Sequence, residues 1–357
     1  MSDNPMQTGN GIATAADCDN EAKKKSRIRL EDMTSQDFYT DMFAYYGTHE
    51  EKLKDRAQIV AFRTAMYNNK QLFKNKVVLD VGCGTGILSM FAIKAGAARV
   101  IAIDNSNILE LTKKVFEDNE MSFHIDLIQG EIEEIELGVE KVDIIISEWF
   151  SYNLFHLSIL DKVLYARDKW LKPHGLIFPD IGRLYITAIE AFNSKAFKIN
   201  WWNKVYDFDM SCVRKAVIKE PSISIVYANH LVTNSCLIKE VDLYKIQKSD
   251  LEFASKFQLK VQRNDYVHAF VTYFDIEFSK CFSPIKFSTS PWTDDTHWKQ
   301  CVFYLDDFIT VKEDEEITGI FEMKYLQTKK TALYFGIKVD FEGEISQIHE
   351  INSYNMD

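Results

Sequence analysis

The stretch VVLDVGCGTGIL, Val77 to Leu88, joins two kinds of pattern. Val77 to Val81 is a short β-branched apolar run that reads as a buried strand. It ends in glycines spaced GxGxG, at Gly82, Gly84 and Gly86, with the acid Asp80 just ahead of them. Glycines let a backbone turn sharply and approach a ligand closely. From Gly86 to Ala97, Ile87, Leu88, Phe91, Ala92 and Ile93 recur at helical spacing. The following strand, Val100 to Ile103, closes in Asp104, about 20 residues on, where an acid can accept hydrogen bonds from both ribose hydroxyls. Strand, glycine turn, helix and acid together make a nucleoside-cofactor site. The spacing departs from the GxGxxG of a pyrophosphate cradle.

Further strands are expected at Phe123 to Ile128 and Val142 to Ile146. Strand and helix alternate, which predicts a parallel sheet with helices on both faces. Ser35 to Asn69 upstream has a helical pattern. The character changes at LKPHGLIFPD, Leu171 to Asp180, which holds two of the six prolines. Beyond it, Leu184 to Ile189, Tyr266 to Phe278, Ile317 to Met323 and Ala332 to Phe341 read as antiparallel strands with one wet face. Between them lies an aromatic insertion, Phe192 to Met210, whose exposed rings need a partner surface.

The bulk properties narrow the function. The chain has 357 residues, is 46% apolar and carries a net charge of −11. So acidic a chain is a poor general binder of nucleic acid; the charge either suits a basic protein or peptide or only keeps the chain soluble. It has no apolar run long enough for a membrane span and no signal-peptide pattern. Six cysteines lie scattered without CxxC spacing, so reduced thiols and no metal site are expected. Residues 1–30 are polar and are not expected to fold. Their KKKSR run, Lys23 to Arg27, reads as a solvated tail or a nuclear import signal.

SEWFSYNLFHLSIL, Ser147 to Leu160, raises a chemical question. Glu148 emerges where a buried strand ends, among Trp149, Phe150, Tyr152 and Phe155. With the glycine loop, SEWxxYxLF, VLYARDKWL, GLIFPD, FDMSC, RNDYVHA, FSTSP and THWKQ, the chain resembles the type I protein arginine methyltransferases from Ser35 onward. The resemblance implies an α/β Rossmann-like S-adenosylmethionine-binding domain over 31–178. A β-barrel domain follows over 179–357, with a helical dimerisation arm at about 191–215, where Trp201, Trp202, Tyr206 and Phe208 stand. It implies methyl transfer from S-adenosylmethionine to the guanidinium of histone tails or Arg/Gly-rich proteins. It also implies a homodimer or a heterodimer with a family member, no direct nucleic acid, no membrane, and residence in cytoplasm and nucleus.

The same resemblance assigns residues. Glu148, His297 and its backing Asp55 are catalytic. His49, Asp80, Gly82, Gly84, Gly86, Asp104, Ile132 and Glu133 contact the cofactor. Tyr39, Phe43, Lys52 and Leu157 line the substrate pocket. An arginine side chain is always protonated, with a pKa above about 12. Two carboxylates clamping it would orient it and draw charge from the attacking nitrogen. Here Leu157 stands at the second glutamate. Gln58 replaces an arginine that grips the cofactor carboxylate, and Lys52 replaces a pocket methionine. Lys52 either reaches Glu148, neutralising it, or points to solvent. The chain is read as an arginine methyltransferase; the alternatives are an impaired paralogue that binds cofactor or substrate and acts through dimerisation, and a methyltransferase for another nucleophile.

Overall fold

The computed structural model describes residues 45–326 and 332–356. The tail and the pocket residues Tyr39 and Phe43 lie outside the described residues. The chain enters through helices α1 (Tyr46–Lys54), α2 (Arg56–Tyr67) and α3 (Lys70–Phe73). The helical pattern of this stretch is interrupted at Asp55, which is extended at φ −68° and ψ 94°. Its carboxylate caps α2 by accepting from Gln58 N at 3.1 Å, satisfying one of the donors a helix start leaves open. α2 then buries Ala61, Phe62, Ala65 and Met66 along one face.

Strands β1 (Val77–Val81), β2 (Arg99–Asp104), β3 (Ile125–Gln129), β4 (Val142–Ile146) and β5 (Leu171–Phe178) pair in parallel in the order β3-β2-β1-β4-β5. Helices α4 (Ile87–Ala95), α5 (Leu109–Asp118) and α6 (Leu160–Trp170) connect them. β1 is central. The chain leaves it toward β2 on one side and later crosses to β4 on the other, so the carboxyl ends of β1 and β4 flank a topological switch point. Two expectations shift. Leu171–Phe178 continues the parallel sheet as its edge strand, instead of ending it. Its Pro173 falls in the irregular stretch between the pairings of Leu171 and Leu176, where a missing N–H breaks no ladder. The third strand begins at Ile125, and Phe123 is 98% exposed ahead of it.

The rest of the chain is built mainly from β6 (Ile181–Ile189), β7 (Ser222–Ser224), β8 (Cys236–Asp242), β9 (Phe253–Lys260), β10 (Asp265–Phe278), β11 (Ile285–Ser288), β12 (Gln300–Val311), β13 (Glu316–Tyr325), β14 (Leu333–Glu342) and β15 (Gln347–Met356). They form two antiparallel sheets, β7-β12-β10-β6-β8 and β15-β14-β13-β9, with β11 beside β10. Rings from both sheets meet, as in Phe303–Phe335 at 5.2 Å and Phe257–Phe270 at 5.7 Å, giving a barrel-like core. The expected one wet face holds for β13, which alternates. It fails for β10, where Val267 to Phe274 are all buried. One face of β10 meets both the barrel core, through Phe270–Phe257, and the first domain, through Phe150–Phe274 at 5.9 Å and Phe62–Phe278 at 5.0 Å; the other face, with Ala269 and Val271, packs in a second apolar cluster with Ile199, Ile218 and Val226.

Between β6 and β7 lie the short helices α7 (Phe192–Lys198) and α8 (Ser211–Val217). Phe197, Trp201, Tyr206 and Phe208 of this insertion are exposed, as the sequence predicts.

The seam between the two units is tight. Trp149 is fully buried, its Nε1 donates to Pro179 O at 3.0 Å, and a Cβ on Gly182 would stand 2.6 Å from its ring. Neither the indole nor the adjoining Leu154 has room to move, since both are fully buried. Gly182→Ala is therefore expected to cost about 1–3 kcal/mol by overpacking. Chemical denaturation would show it as a lower midpoint; an unchanged midpoint would mean the seam is soft.

Candidate active site

The glycine loop sits at the end of β1. Gly82 N and Cys83 N each donate to Ile103 O at 2.9 Å, which pins the loop to β2. Gly82 and Gly84 have φ of +75° and +51°. Space also demands glycine: a Cβ on Gly82 would lie 2.7 Å from Ile159, and one on Gly84 3.1 Å from the His49 ring. Gly84 N donates to Asp104 Oδ2 at 2.9 Å, and Ser106 N and Oγ donate to Asp104 Oδ1 at 2.9 and 2.7 Å. The Asp104 carboxylate is thereby fixed at the lip of a cleft of about 910 Å3, open mouth included.

His49, Gly82, Gly84, Asp104, Ile132, Lys52 and Glu148 all line this cleft. Gly86 does not; it caps α4 and packs against Phe116. Glu133 is exposed and lies outside the lining. Glu131 is in the wall instead, accepting from Asn105 Nδ2 and Lys162 Nζ at 2.6 Å each. Asp80 lies beneath the loop, fully buried. Ser89 Oγ donates to its Oδ2 at 2.6 Å, while Oδ1 has no hydrogen-bond partner among the described residues. Burial pushes its pKa up to about 7, against the Ser89 bond, with the charges of Asp104 and Glu148 adding to the rise.

Glu148 follows a well-held strand end. Ser147 N donates to Phe178 O at 3.1 Å and Ser147 Oγ to Val81 O at 2.7 Å. The aromatics after it are core: Trp149, Phe150 and Phe155 are buried, and Phe150 and Tyr152 stand 5.8 and 5.4 Å from the Trp298 ring. Lys52 reaches the acid, with Nζ 2.6 Å from Glu148 Oε1. Gln58 Nε2 donates to Oε2 at 2.6 Å, and Trp298 Nε1 donates to Gln58 Oε1 at 2.6 Å. Gln58 is therefore a buried brace for Glu148. This link spans 240 residues and has no local signature in the sequence.

Asp55 and His297 meet as expected. His297 Nδ1 and backbone N lie 2.7 and 3.0 Å from Asp55 Oδ2. Burial acts to raise the Asp55 pKa, but the bonds from His297 and Gln58 outweigh it and hold the carboxyl below its ordinary range. With Nδ1–H pointing to Asp55, the neutral ring presents Nε2 as an acceptor, and that atom is buried without a hydrogen-bond partner among the described residues. Leu157 is half-buried at φ +58° and is not part of the cleft wall.

A glycine cradle, an acid on the adjoining strand and a buried carboxylate with an open oxygen fit a cationic nucleoside cofactor at the switch point of a parallel sheet. That is the architecture of S-adenosylmethionine-dependent methyltransferases. Residues 78–175 match the methyltransferase domain model, and residues 180–344 the arginine methyltransferase oligomerization subdomain. The chain is 49% identical to protein arginine N-methyltransferase 8-B of Danio rerio over 339 residues, 95% of this chain and 81% of that one. It is 48% identical to protein arginine N-methyltransferase 1 of Caenorhabditis elegans over 354 residues, 98% of this chain and all of that one. Among solved structures, the Trypanosoma brucei PRMT1 enzyme–prozyme heterotetrameric complex with AdoHcy matches at a TM-score of 0.86 and 37% identity, covering 89% of this chain and 100% of that one.

The chain belongs to the protein arginine N-methyltransferase family. Its cofactor is S-adenosylmethionine, it methylates arginine, and it oligomerises through the second domain. The cofactor supplies a methyl group on a positively charged sulfur.

Asp80 gives a pH test. Its folded pKa of about 7 lies above the unfolded value, which is about 3.9. Between these values the folded chain holds more protons than the unfolded one, so its stability falls as pH rises through the window and levels off above it. Asp80→Asn removes the titration and can keep the Ser89 bond. Without cofactor, the variant should gain on wild type between pH 4 and 7.5, ending about 1–4 kcal/mol ahead. Thermal melts across that range would show the gap opening; parallel curves would place the Asp80 pKa near its ordinary value.

Proposed function

We propose that the chain methylates arginines in basic, Arg/Gly-rich proteins and histone tails, with Glu148 as the guanidinium acceptor and His297–Asp55 as the proton-holding pair. The observation that carries this is a carboxylate in the cleft wall, Glu148, joined through Gln58 to the Trp298 indole, against which the His297 ring packs. Glu148 supplies negative charge to a group that never loses its own positive charge in water. His297 Nε2, on the side of the ring away from Asp55, is the acceptor able to take the proton that the methylated nitrogen gives up. The net charge of −11 favours the approach of basic chains.

The partner is a second copy or another family member, docked through the exposed aromatics of residues 192–208. We place the protein in both cytoplasm and nucleus, and assign it neither direct nucleic-acid binding nor membrane association. No helix among the described residues is long and apolar enough to cross a membrane.

The test is transfer of labelled methyl from S-adenosylmethionine to an Arg/Gly-rich protein, with its Arg→Lys counterpart as control. Label is expected on the first substrate only. Leu157→Glu adds a second carboxylate on the loop that carries Glu148 and should raise kcat/KM about tenfold, since a charge-assisted hydrogen bond is worth about 1.5–3 kcal/mol. Absence of label from wild type that still binds S-adenosylhomocysteine would overturn the substrate assignment.

A further inference from the structure

Glu148 has two carboxylate oxygens, and the chain itself fills both. The Lys52 ammonium lies 2.6 Å from Oε1 and the Gln58 amide nitrogen 2.6 Å from Oε2. Trp298 fixes the Gln58 amide by donating to its oxygen, and its ring lies 5.4 Å from Lys52 Nζ. The Lys52 and Glu148 side chains are only 23% and 15% exposed, so water screens their attraction weakly. A guanidinium binds a carboxylate best as a fork, with one N–H on each oxygen. Here it meets an ammonium on one side and a braced amide on the other.

We propose that Lys52 is a tethered competitor for Glu148: it occupies the cation position that the substrate guanidinium needs, and arginine engages only when Lys52 is displaced. This rests on the arginine reading above. Gln58 is 1% exposed and locked by Trp298, so it stays. Lys52 is the part able to leave. It stands on α1, which buries only His49 and has no side-chain cap at its start among the described residues. A tethered group competes as though present at millimolar concentration. A lone arginine therefore competes poorly, whereas a long basic segment can use contacts elsewhere on the acidic surface to offset the displacement. Lys52 thus sets specificity toward extended polybasic substrates over isolated arginines.

The experiment measures equilibrium binding of an Arg/Gly-rich peptide in saturating S-adenosylhomocysteine, and S-adenosylhomocysteine affinity alone, for wild type, Lys52→Met, Lys52→Arg, Glu148→Gln and the Lys52→Met/Glu148→Gln double variant. Lys52→Met should tighten the peptide about tenfold or more, as expected for removal of a tethered ion-pair partner, and lower KM more than it changes kcat. S-adenosylhomocysteine affinity should stay within about twofold, which also reports an intact fold. Lys52→Arg should keep the weak peptide binding. In the Glu148→Gln background, removing Lys52 should change peptide affinity by less than about twofold, because the pair is already gone.

Unchanged or weaker peptide binding by Lys52→Met would overturn the proposal. So would an equal gain in the Glu148→Gln background, which marks a general charge effect. A large loss of S-adenosylhomocysteine affinity would overturn it too, by assigning Lys52 to the cofactor. If the peptide tightens as expected and neither protein transfers methyl, the competition stands and the arginine-transfer reading fails.

Discussion

One carboxylate, that of Asp55, ties the site together. It caps α2 through Gln58 N and fixes the backbone and ring of His297, 242 residues away. The first contact decides where α2 begins and so where the Gln58 side chain projects. The second decides which nitrogen of His297 faces away from Asp55. Because Gln58 in turn braces Glu148, the acid and the histidine are positioned by the same group. Asp55 is 6% exposed, and a buried carboxylate is tolerable only when its acceptors are used. Here three donors converge on it, so the charge is stabilised and two distant segments are locked by one group.

The cleft gathers acids beyond this anchor. Asp80, Asp104 and Glu148 lie close enough for the last two to raise the pKa of the first. Such crowding is unfavourable in the ligand-free chain and favourable once a positive ligand arrives, which is how a site trades stability for binding. The sulfonium and ammonium of S-adenosylmethionine are of the sign required. Glu148 obtains relief of another kind, from Lys52. The chain therefore balances its acids in two ways: the deep one by raising its pKa, and the outer one by an internal cation.

The parts of the fold legible in the sequence were those with local signals. The β-branched run, the glycine turn and the helical spacing of Val77 to Ala97 lie within one contiguous stretch, and the structure follows them closely. The glycines at 82 and 84 are needed for both φ and space. What was not legible depended on distance. β10 reads as half-wet because alternation cannot show that Ile199, Ile218 and Val226, from the insertion and the chain after it, cover its other face at Ala269 and Val271. In GEIEE, three acids compete for one wall position, and only the turn after β3 selects Glu131 over Glu133. Gln58 reads as a lost arginine, since nothing near it in sequence shows the Trp298 indole and the Glu148 carboxylate that it joins.

The loop from Ser151 to Leu157 shows how shape and residue identity separate. Asn153, Leu154 and Leu157 all have positive φ, at 51°, 68° and 58°. Such conformations cost non-glycine residues about 1 kcal/mol or more each, so surrounding contacts must impose them. Those contacts are visible. Leu154 is fully buried beside Gly182, and Asn153 hydrogen-bonds Thr272 of β10. None of them involves the Leu157 side chain. The backbone at 157 is thus held by its neighbours and by the barrel-like domain, and the side chain carried there is interchangeable as far as the loop is concerned. A carboxylate at that position, which the family resemblance leads one to expect, would be presented by the same backbone, so the residue carried at 157 is a matter of side-chain chemistry.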